Sequence, residues 1–103
     1  MKVIQQMRFS NNIDLGKVKV GEKRIIEIDP DENRGAIKKL VGSCSCDLSR
    51  YVEDRGIIRI IQNGHKIPRH LADRGWYISN KRYRVDYKDG TSDIIDVRAT
   101  ICE

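Results

Sequence analysis

Apolar and polar residues alternate in short runs along this chain, and turn signals separate the runs. The alternation is clear from Ile13 to Gly21, is less regular over Arg24–Asp29 and returns near the C-terminus. A period of two places successive side chains on opposite faces of a β-strand, whereas an amphipathic helix repeats every three to four residues. The pattern therefore predicts an all-β protein. Its predicted strands cover residues 3–9, 13–21, 24–29, 36–41 and 57–62, followed by a C-terminal hairpin.

The C-terminal segment carries the clearest hairpin pattern. Asp89-Gly90 is a turn sequence between two alternating runs. One predicted face of the hairpin is apolar and the other is charged, as in a sheet with one face in the core and one in water. The apolar positions are Tyr83, Val85, Tyr87, Ile95, Val97, Ala99 and Ile101. About seven strands within about 100 residues are typical of a β-sandwich.

A second hairpin is predicted around Asn63-Gly64, which follows the most apolar segment of the chain. Both central residues of a type I′ turn need positive φ, which Asn-Gly supplies, so His65–Ile67 is predicted to return as the second arm. Residues 69–80 are mostly polar and predict a long irregular connection, with one helical turn at His70–Arg74.

Length and composition limit the protein to one small domain. The chain has 103 residues, of which 39% are hydrophobic and 34% charged, and its longest apolar runs are pairs such as Ile57-Ile58. A bilayer span needs roughly 20 apolar residues, so no membrane association is predicted. The N-terminus lacks the apolar stretch of a signal peptide, which predicts a cytoplasmic location.

Two segments together resemble a known family. Residues 15–22, Leu-Gly-Lys-Val-Lys-Val-Gly-Glu, resemble the opening F-G-x-V-x-x-G-E of a family of bacterial immunoglobulin-like domains, which carry an S-C-G-C-T motif. Residues 37–47 resemble the next signature of that family, an apolar strand that runs into S-C-G-C-T. Ser45 stands at the glycine of the motif and Asp47 at its threonine. The resemblance covers the first half of the chain.

This family is related to the major sperm protein and Hydin-type sandwiches, and the resemblance has implications for fold and function. It implies one immunoglobulin-like β-sandwich over residues 1–103, with a long basic excursion at 51–80 that is particular to this chain. It also implies a role in protein association. It implies no enzyme activity, because the family has no catalytic centre to carry over, and we expect no cofactor.

The three cysteines and two histidines are the candidates for metal or redox chemistry. Cys44 and Cys46 are two residues apart, so on a strand their thiols share one face; a metal or redox site could add His65, His70 and Cys102. The alternative is that small thiols pack at the end of a strand, and we expect no metal. If a disulfide forms, Cys102 with one of the other two is favoured, because cysteines two apart on a strand lie near the limit of bridging distance.

The net charge of +5 is concentrated in the middle of the chain. Residues 50–88 hold 10 Lys and Arg against 4 Asp and Glu, a net +6, while residues 89–103 carry a net −3. Arginine interleaved with tyrosine and tryptophan is typical of protein interfaces. The same residues can also bind nucleic acid, because the rings stack on bases and the arginines contact phosphates. A nucleic-acid-binding protein is therefore the alternative to a protein-interaction module. The predicted partner-binding residues are Tyr51, Arg69, Arg74, Trp76, Tyr77, Arg82 and Arg84.

A small sandwich without catalytic motifs is expected to act by docking onto another molecule. The expected role is a non-catalytic structural or interaction module, as a small accessory subunit of a large assembly. A phage virion is the leading example, with the chain as a capsid decoration or cement protein, located in the cytoplasm or the virion. This step rests on analogy between fold and role. Such a subunit can form a homo-oligomer within the assembly.

Overall fold

A computed structural model of the chain describes residues 2–29, 36–43, 45–53 and 56–103, with side chains from Gln6 onward. Almost all of its regular structure is β. The strands are β1 (Lys2–Met7), β2 (Asn12–Lys19), β3 (Lys23–Ile28), β4 (Ile37–Gly42), β5 (Ile58–Asn63), β6 (Trp76–Tyr87) and β7 (Ser92–Cys102). Two 3₁₀ turns lie at Ser49–Tyr51 and Arg69–Leu71. The prediction of an all-β protein is confirmed.

The strands form two sheets, as a sandwich requires. Sheet A has the order β1-β3-β5, and sheet B has the order β2-β7-β6-β4. Two pairings are parallel, β1 with β3 and β2 with β7, and the others are antiparallel. The β6–β7 hairpin is the longest ladder, with partners from Trp76–Cys102 to Asp86–Ser92.

The core lies between the inward faces of the two sheets and is built mainly from Ile and Val. Branched side chains pack well on a pleated surface, which explains their concentration in these strands. The apolar face predicted for the C-terminal hairpin is buried, with Ile95 and Val85 fully so. The other buried members are Ile13, Leu15 and Val18 of β2, Ile26 and Ile28 of β3, Leu40 of β4, and Ile58 and Ile60 of β5.

One charged side chain ties the two sheets together at one end of the sandwich. Arg24 of β3 donates hydrogen bonds to the carbonyl oxygens of Leu15 (3.0 Å) and Lys17 (3.2 Å) of β2. Its guanidinium lies 3.3 Å from a carboxylate oxygen of Glu22, and the same oxygen accepts the Lys19 N–H at 3.1 Å. These bonds occupy backbone groups on edge strand β2, which are otherwise open to pairing with another chain.

The hairpin predicted at Asn63-Gly64 is wrong. Residues 64–68 form no strand, and Gly64 instead lies against the turn between β2 and β3. Its N–H donates to the Glu22 carbonyl and its carbonyl accepts the Gly21 N–H, both at 2.8 Å. A Cβ on Gly64 would collide with the carbonyl group of Lys19. The glycine is therefore required for close backbone approach.

The long irregular connection predicted over 69–80 is only partly confirmed. A single helical turn does occur, as the 3₁₀ turn at Arg69–Leu71. However, β6 begins at Trp76, and Trp76–Asn80 pairs with Arg98–Cys102 of β7. Backbone pairing with β7 therefore orders residues that looked irregular in sequence. The segment 51–80 comprises β5, the second 3₁₀ turn and the start of β6.

The cysteines differ from expectation. Cys46 is disulfide-bonded and Cys102 is a free, half-buried thiol. The favoured bridge between Cys102 and one of the other cysteines is therefore wrong, and Cys44 lies outside the described residues. Ser45 has φ of 61°, the left-handed region that normally favours glycine. Among the described residues it is the one non-glycine residue with positive φ.

The contact at Gly64 predicts a strong effect of one added methyl group. We expect Gly64→Ala to lower the free energy of unfolding by at least about 2 kcal/mol, because the backbone of Lys19 must move. The measurement is urea denaturation followed by circular dichroism. Gly90→Ala is the control: its Cβ meets nothing, and φ of 90° accounts for a cost of about 1 kcal/mol. A Gly64→Ala variant as stable as the control would contradict the expected collision.

The buried phenol of Tyr83 predicts loss of stability at alkaline pH. Burial, with a smaller contribution from Tyr51, raises the pKa of Tyr83 to about 12. The unfolded chain ionises first, near pKa 10, so stability present below about pH 10 is lost as pH rises towards 12. We expect wild type to lose about 1.4 kcal/mol more than Tyr83→Phe between about pH 8 and about pH 11. Urea denaturation of both proteins checks this, and parallel pH profiles would contradict it.

Candidate interaction surface

The outward face of sheet B is a continuous strand surface that the core does not use. Paired residues in neighbouring strands point to the same side, so the register defines which side chains lie together. The outward residues of three of its four strands are Trp76, Ile78, Asn80, Arg82, Arg84 and Asp86 of β6; Ser92, Ile94, Asp96, Arg98, Thr100 and Cys102 of β7; and Asn12, Asp14, Lys17 and Lys19 of β2. On β4, Lys39 and Val41 pair with Asp86 and Arg84. This face divides into two halves of different character.

In the half near the β6–β7 turn, opposite charges neutralise one another. Arg82 makes a bidentate contact with Asp96, at 2.7 and 3.2 Å, and Arg84 contacts Asp86 at 3.0 and 3.3 Å. The hydrogen bond from Arg82 lowers the pKa of Asp96, and the bond to Asp96 raises the pKa of Arg82. These arginines therefore present little unbalanced charge.

The other half is apolar at its centre. Trp76 and Ile78 are each 38% exposed, although both are large hydrophobic residues. Arg74 lies over the indole at 4.0 Å from the ring centre, and its Nε–H donates to the Trp76 carbonyl at 3.1 Å. Gly75 lies between them with φ of 75°, a backbone conformation that a residue with a side chain rarely adopts. The turn before β6 thus places a cation on the ring.

Two lysines of β2 complete the cationic border of this half. Lys17 pairs in register with Thr100, and Lys19 with Cys102, so both lie on the same face as Trp76. Neither forms an ion pair with any residue that the structure describes. We define the Trp76 patch as Lys17, Lys19, Arg74, Trp76, Ile78, Thr100 and Cys102.

The structure brings some of the predicted partner-binding residues together and separates others. Trp76 and Arg74 are in contact in the Trp76 patch, and Arg82 and Arg84 lie on the same face but in ion pairs. Tyr77 is half-buried against the core, with its hydroxyl 3.4 Å from the His65 carbonyl.

Two further predicted residues lie away from the face. Tyr51 is half-buried in the first 3₁₀ turn, where Arg50 stacks on it at 4.8 Å. It also packs against the core. Arg69 is exposed in the second 3₁₀ turn.

The sequence interpretation missed Lys17, Lys19 and Ile78 as members of this surface. Alternation does not indicate Ile78, because residues 76–82 are three apolar residues followed by four polar ones. No local signal indicates the lysines either, since only the parallel pairing of β2 with β7 brings them beside Trp76.

Those candidate metal ligands that the structure describes do not converge. Cys46 is held in a disulfide, His65 and His70 are exposed, and Cys44 is outside the described residues. Within residues 2–29, 36–43, 45–53 and 56–103, no three His, Cys, Asp or Glu side chains come together as a metal site. In the same part of the chain, no helix has the length and apolar character needed to cross a bilayer.

Comparisons of the chain with family models, with curated proteins and with solved structures found no match.

The cationic surroundings of the indole predict selective fluorescence quenching. Trp76 is the only tryptophan, so emission reports on this patch alone. We expect iodide to quench it more strongly than caesium, because Lys17, Lys19 and Arg74 attract anions at low ionic strength. The preference should shrink in Lys17→Gln/Lys19→Gln but persist in Lys38→Gln/Lys88→Gln, in which both changes lie elsewhere. Equal quenching of wild type by the two ions would contradict a cationic patch.

Proposed function

We propose that this protein is a non-catalytic interaction module that docks onto an acidic protein surface through the Trp76 patch. The observation that carries the proposal is that the two halves of the outward face of sheet B differ in charge and exposure. In one half Arg82 and Arg84 are in ion pairs, whereas the other exposes Trp76 and Ile78 among cations that form no ion pair with the part of the chain that the structure describes. Tryptophan and arginine are the residues most enriched at the energetic centres of protein interfaces.

The apolar centre of the patch favours a protein over a nucleic acid as the partner. Proteins that bind single strands stack successive bases on several aromatic rings. Here Trp76 is the one aromatic residue on the outward face of sheet B, and Arg74 already lies over its ring. Ile78 adds an aliphatic surface that suits burial by another protein. Nucleic-acid binding remains the alternative that the experiment below must separate.

We further propose that the sandwich is of the immunoglobulin-like type. Two observations support this. The strand order β2-β7-β6-β4 packs against β3-β5 in a two-sheet arrangement. Ser45, which stands at the glycine of the S-C-G-C-T motif, has the left-handed backbone that a glycine would supply. The role of an accessory subunit in a large assembly, such as a decoration or cement protein of a phage virion, follows by analogy with small sandwich domains.

Truncation of the tryptophan tests the proposed function. We expect the wild-type chain, expressed with a small tag in its native background, to co-sediment in fixed stoichiometry with a high-mass particle. Trp76→Ala should weaken this association at least about tenfold, because loss of an anchor residue costs upwards of about 1.4 kcal/mol. Circular dichroism should show an unchanged fold, since the side chain is partly exposed.

Ile94→Ala provides the matched control. Ile94 is 39% exposed on the same sheet face, but in the charge-neutralised half. The Ile94→Ala variant should co-sediment with the high-mass particle as wild type does. If Trp76→Ala associates as wild type does, docking through the patch is wrong. If association is lost on nuclease treatment, and the pure protein binds a single-stranded oligothymidylate of about 20 nucleotides with a steep salt dependence, the partner is nucleic acid.

A further inference from the structure

The Trp76 patch does not end at the edge of the sheet. At the end of the sandwich, a second concave surface is formed by Val20, Ile67, Pro68 and Ala72, and we call these residues the tip groove. Val20 is 40% exposed, a high value for a branched aliphatic side chain. The tip groove lies where the turn after β2 meets the segment between β5 and β6.

The two surfaces adjoin one another through shared lining residues. Glu103 borders both the tip groove and the depression beside Trp76. A further depression contains Lys17, Cys102 and Val20, of which the first two also line the space beside Trp76 and the third belongs to the tip groove. The concave path therefore leads from the face of sheet B, past the end of β7, and onto the end of the sandwich.

The base of this path is held in a fixed shape. Arg24 binds two carbonyl groups of β2, and Glu22 binds the Lys19 N–H, so the turn between β2 and β3 is fastened from both sides. Gly64 is hydrogen-bonded to the same turn in both directions. A surface with such support needs little reordering when it binds, which favours affinity.

Positive charge follows the path along its whole length. Lys17, Lys19 and Arg74 border the Trp76 patch, and Lys66 and Arg69 border the tip groove. Arg98 and the ion pair of Arg24 with Glu22 also line the path. Glu103 lies on the path, and Asp73 is next to Arg74 in the chain. Seven cations against three carboxylates leave an excess of positive charge beside apolar side chains.

We infer that the path binds an extended acidic segment of the partner, in which acidic and apolar residues alternate. A flat, folded surface that covers Trp76 would leave the tip groove empty, because the path turns from a sheet face to the end of the sandwich. An extended chain can follow the bend. Trp76 and Lys19 are two strand spacings apart, about 10 Å, which about three residues of extended chain cover.

A segment in which acidic and apolar residues alternate matches the apolar and cationic side chains of the path. In an extended segment, successive side chains point in opposite directions, so one set can contact Trp76, Ile78 and Val20 while the other meets the lysines and arginines. This inference rests on the proposed function, since it identifies the kind of partner that the Trp76 patch accepts. It adds the tip groove as a second part of the same site.

A synthetic peptide tests the inference with purified full-length protein. The probe is an eight-residue peptide of alternating aspartate and leucine with blocked ends. We expect a saturable change in Trp76 emission with Kd below about 100 μM at low salt. A peptide of alternating lysine and leucine should not bind, and a peptide of alternating aspartate and glycine should bind at least about tenfold more weakly, because it lacks apolar contacts.

Charge-reversal variants test the tip groove separately from the Trp76 patch. Lys66→Glu/Arg69→Glu, which changes the border of the tip groove and leaves the Trp76 patch intact, should weaken binding of the aspartate–leucine peptide at least about tenfold. Lys38→Glu/Lys88→Glu makes the same change in net charge elsewhere and should leave Kd within about twofold of wild type. Circular dichroism should show all variants folded.

The outcomes distinguish this inference from the proposed function. If the tip variant binds the peptide as tightly as wild type, the path ends at the Trp76 patch and the inference is wrong. Absence of peptide binding up to about 1 mM overturns it as well. In both cases the proposed function stands if Trp76→Ala still weakens co-sedimentation with the high-mass particle. If Trp76→Ala co-sediments as wild type does, the proposed function is wrong, whether or not the peptide binds.

Discussion

The burial of one face of the β6–β7 ladder is the constraint on which the rest of this structure depends. This hairpin pairs without interruption from Trp76–Cys102 to Asp86–Ser92, and it occupies the centre of sheet B. Because side chains alternate across a strand, burying Val85, Ile95 and their neighbours also decides which residues face outward. The same ladder therefore supplies both the core and the candidate interaction surface.

The second constraint is polar and lies at one end of the sandwich. Arg24 bonds across the two sheets, and Gly64 fits against the Lys19 backbone, where a larger residue has no space. Together they join the β2–β3 turn to the segment after β5. This joint brings Val20 beside Ile67 and Pro68, which are far away in sequence. The pairing of β2 with β7 brings Lys17 and Lys19 beside Trp76. The basic path from Trp76 to the tip groove is a consequence of both arrangements.

Much of the secondary structure could be read from hydrophobic periodicity, and the misreadings have physical causes. The strands over 13–21 and 83–101 alternate over most of their length, which is enough to predict them, although a bulge between Asp14 and Lys17 shifts the phase in β2. Trp76–Asn80 was missed because its outward residues include the apolar pair Trp76 and Ile78, which blurs the alternation of apolar and polar positions. Asn63-Gly64 suggested a hairpin because its composition suits positive φ, but here glycine is needed for contact with a distant backbone.

The sequence by itself determined the all-β class, the inward face of the C-terminal hairpin and the identity of Trp76 and Arg74 as candidates for contact. Local alternation and residue chemistry are enough for these, because they act within a few positions of the chain. Only the tertiary structure decided that Arg82 and Arg84 are neutralised by Asp96 and Asp86. Charge pairing depends on the side-chain geometry along and across the β6–β7 hairpin. Only the tertiary structure placed Lys17 and Lys19 beside Trp76, since the parallel register of β2 with β7 joins residues more than 80 positions apart in the chain.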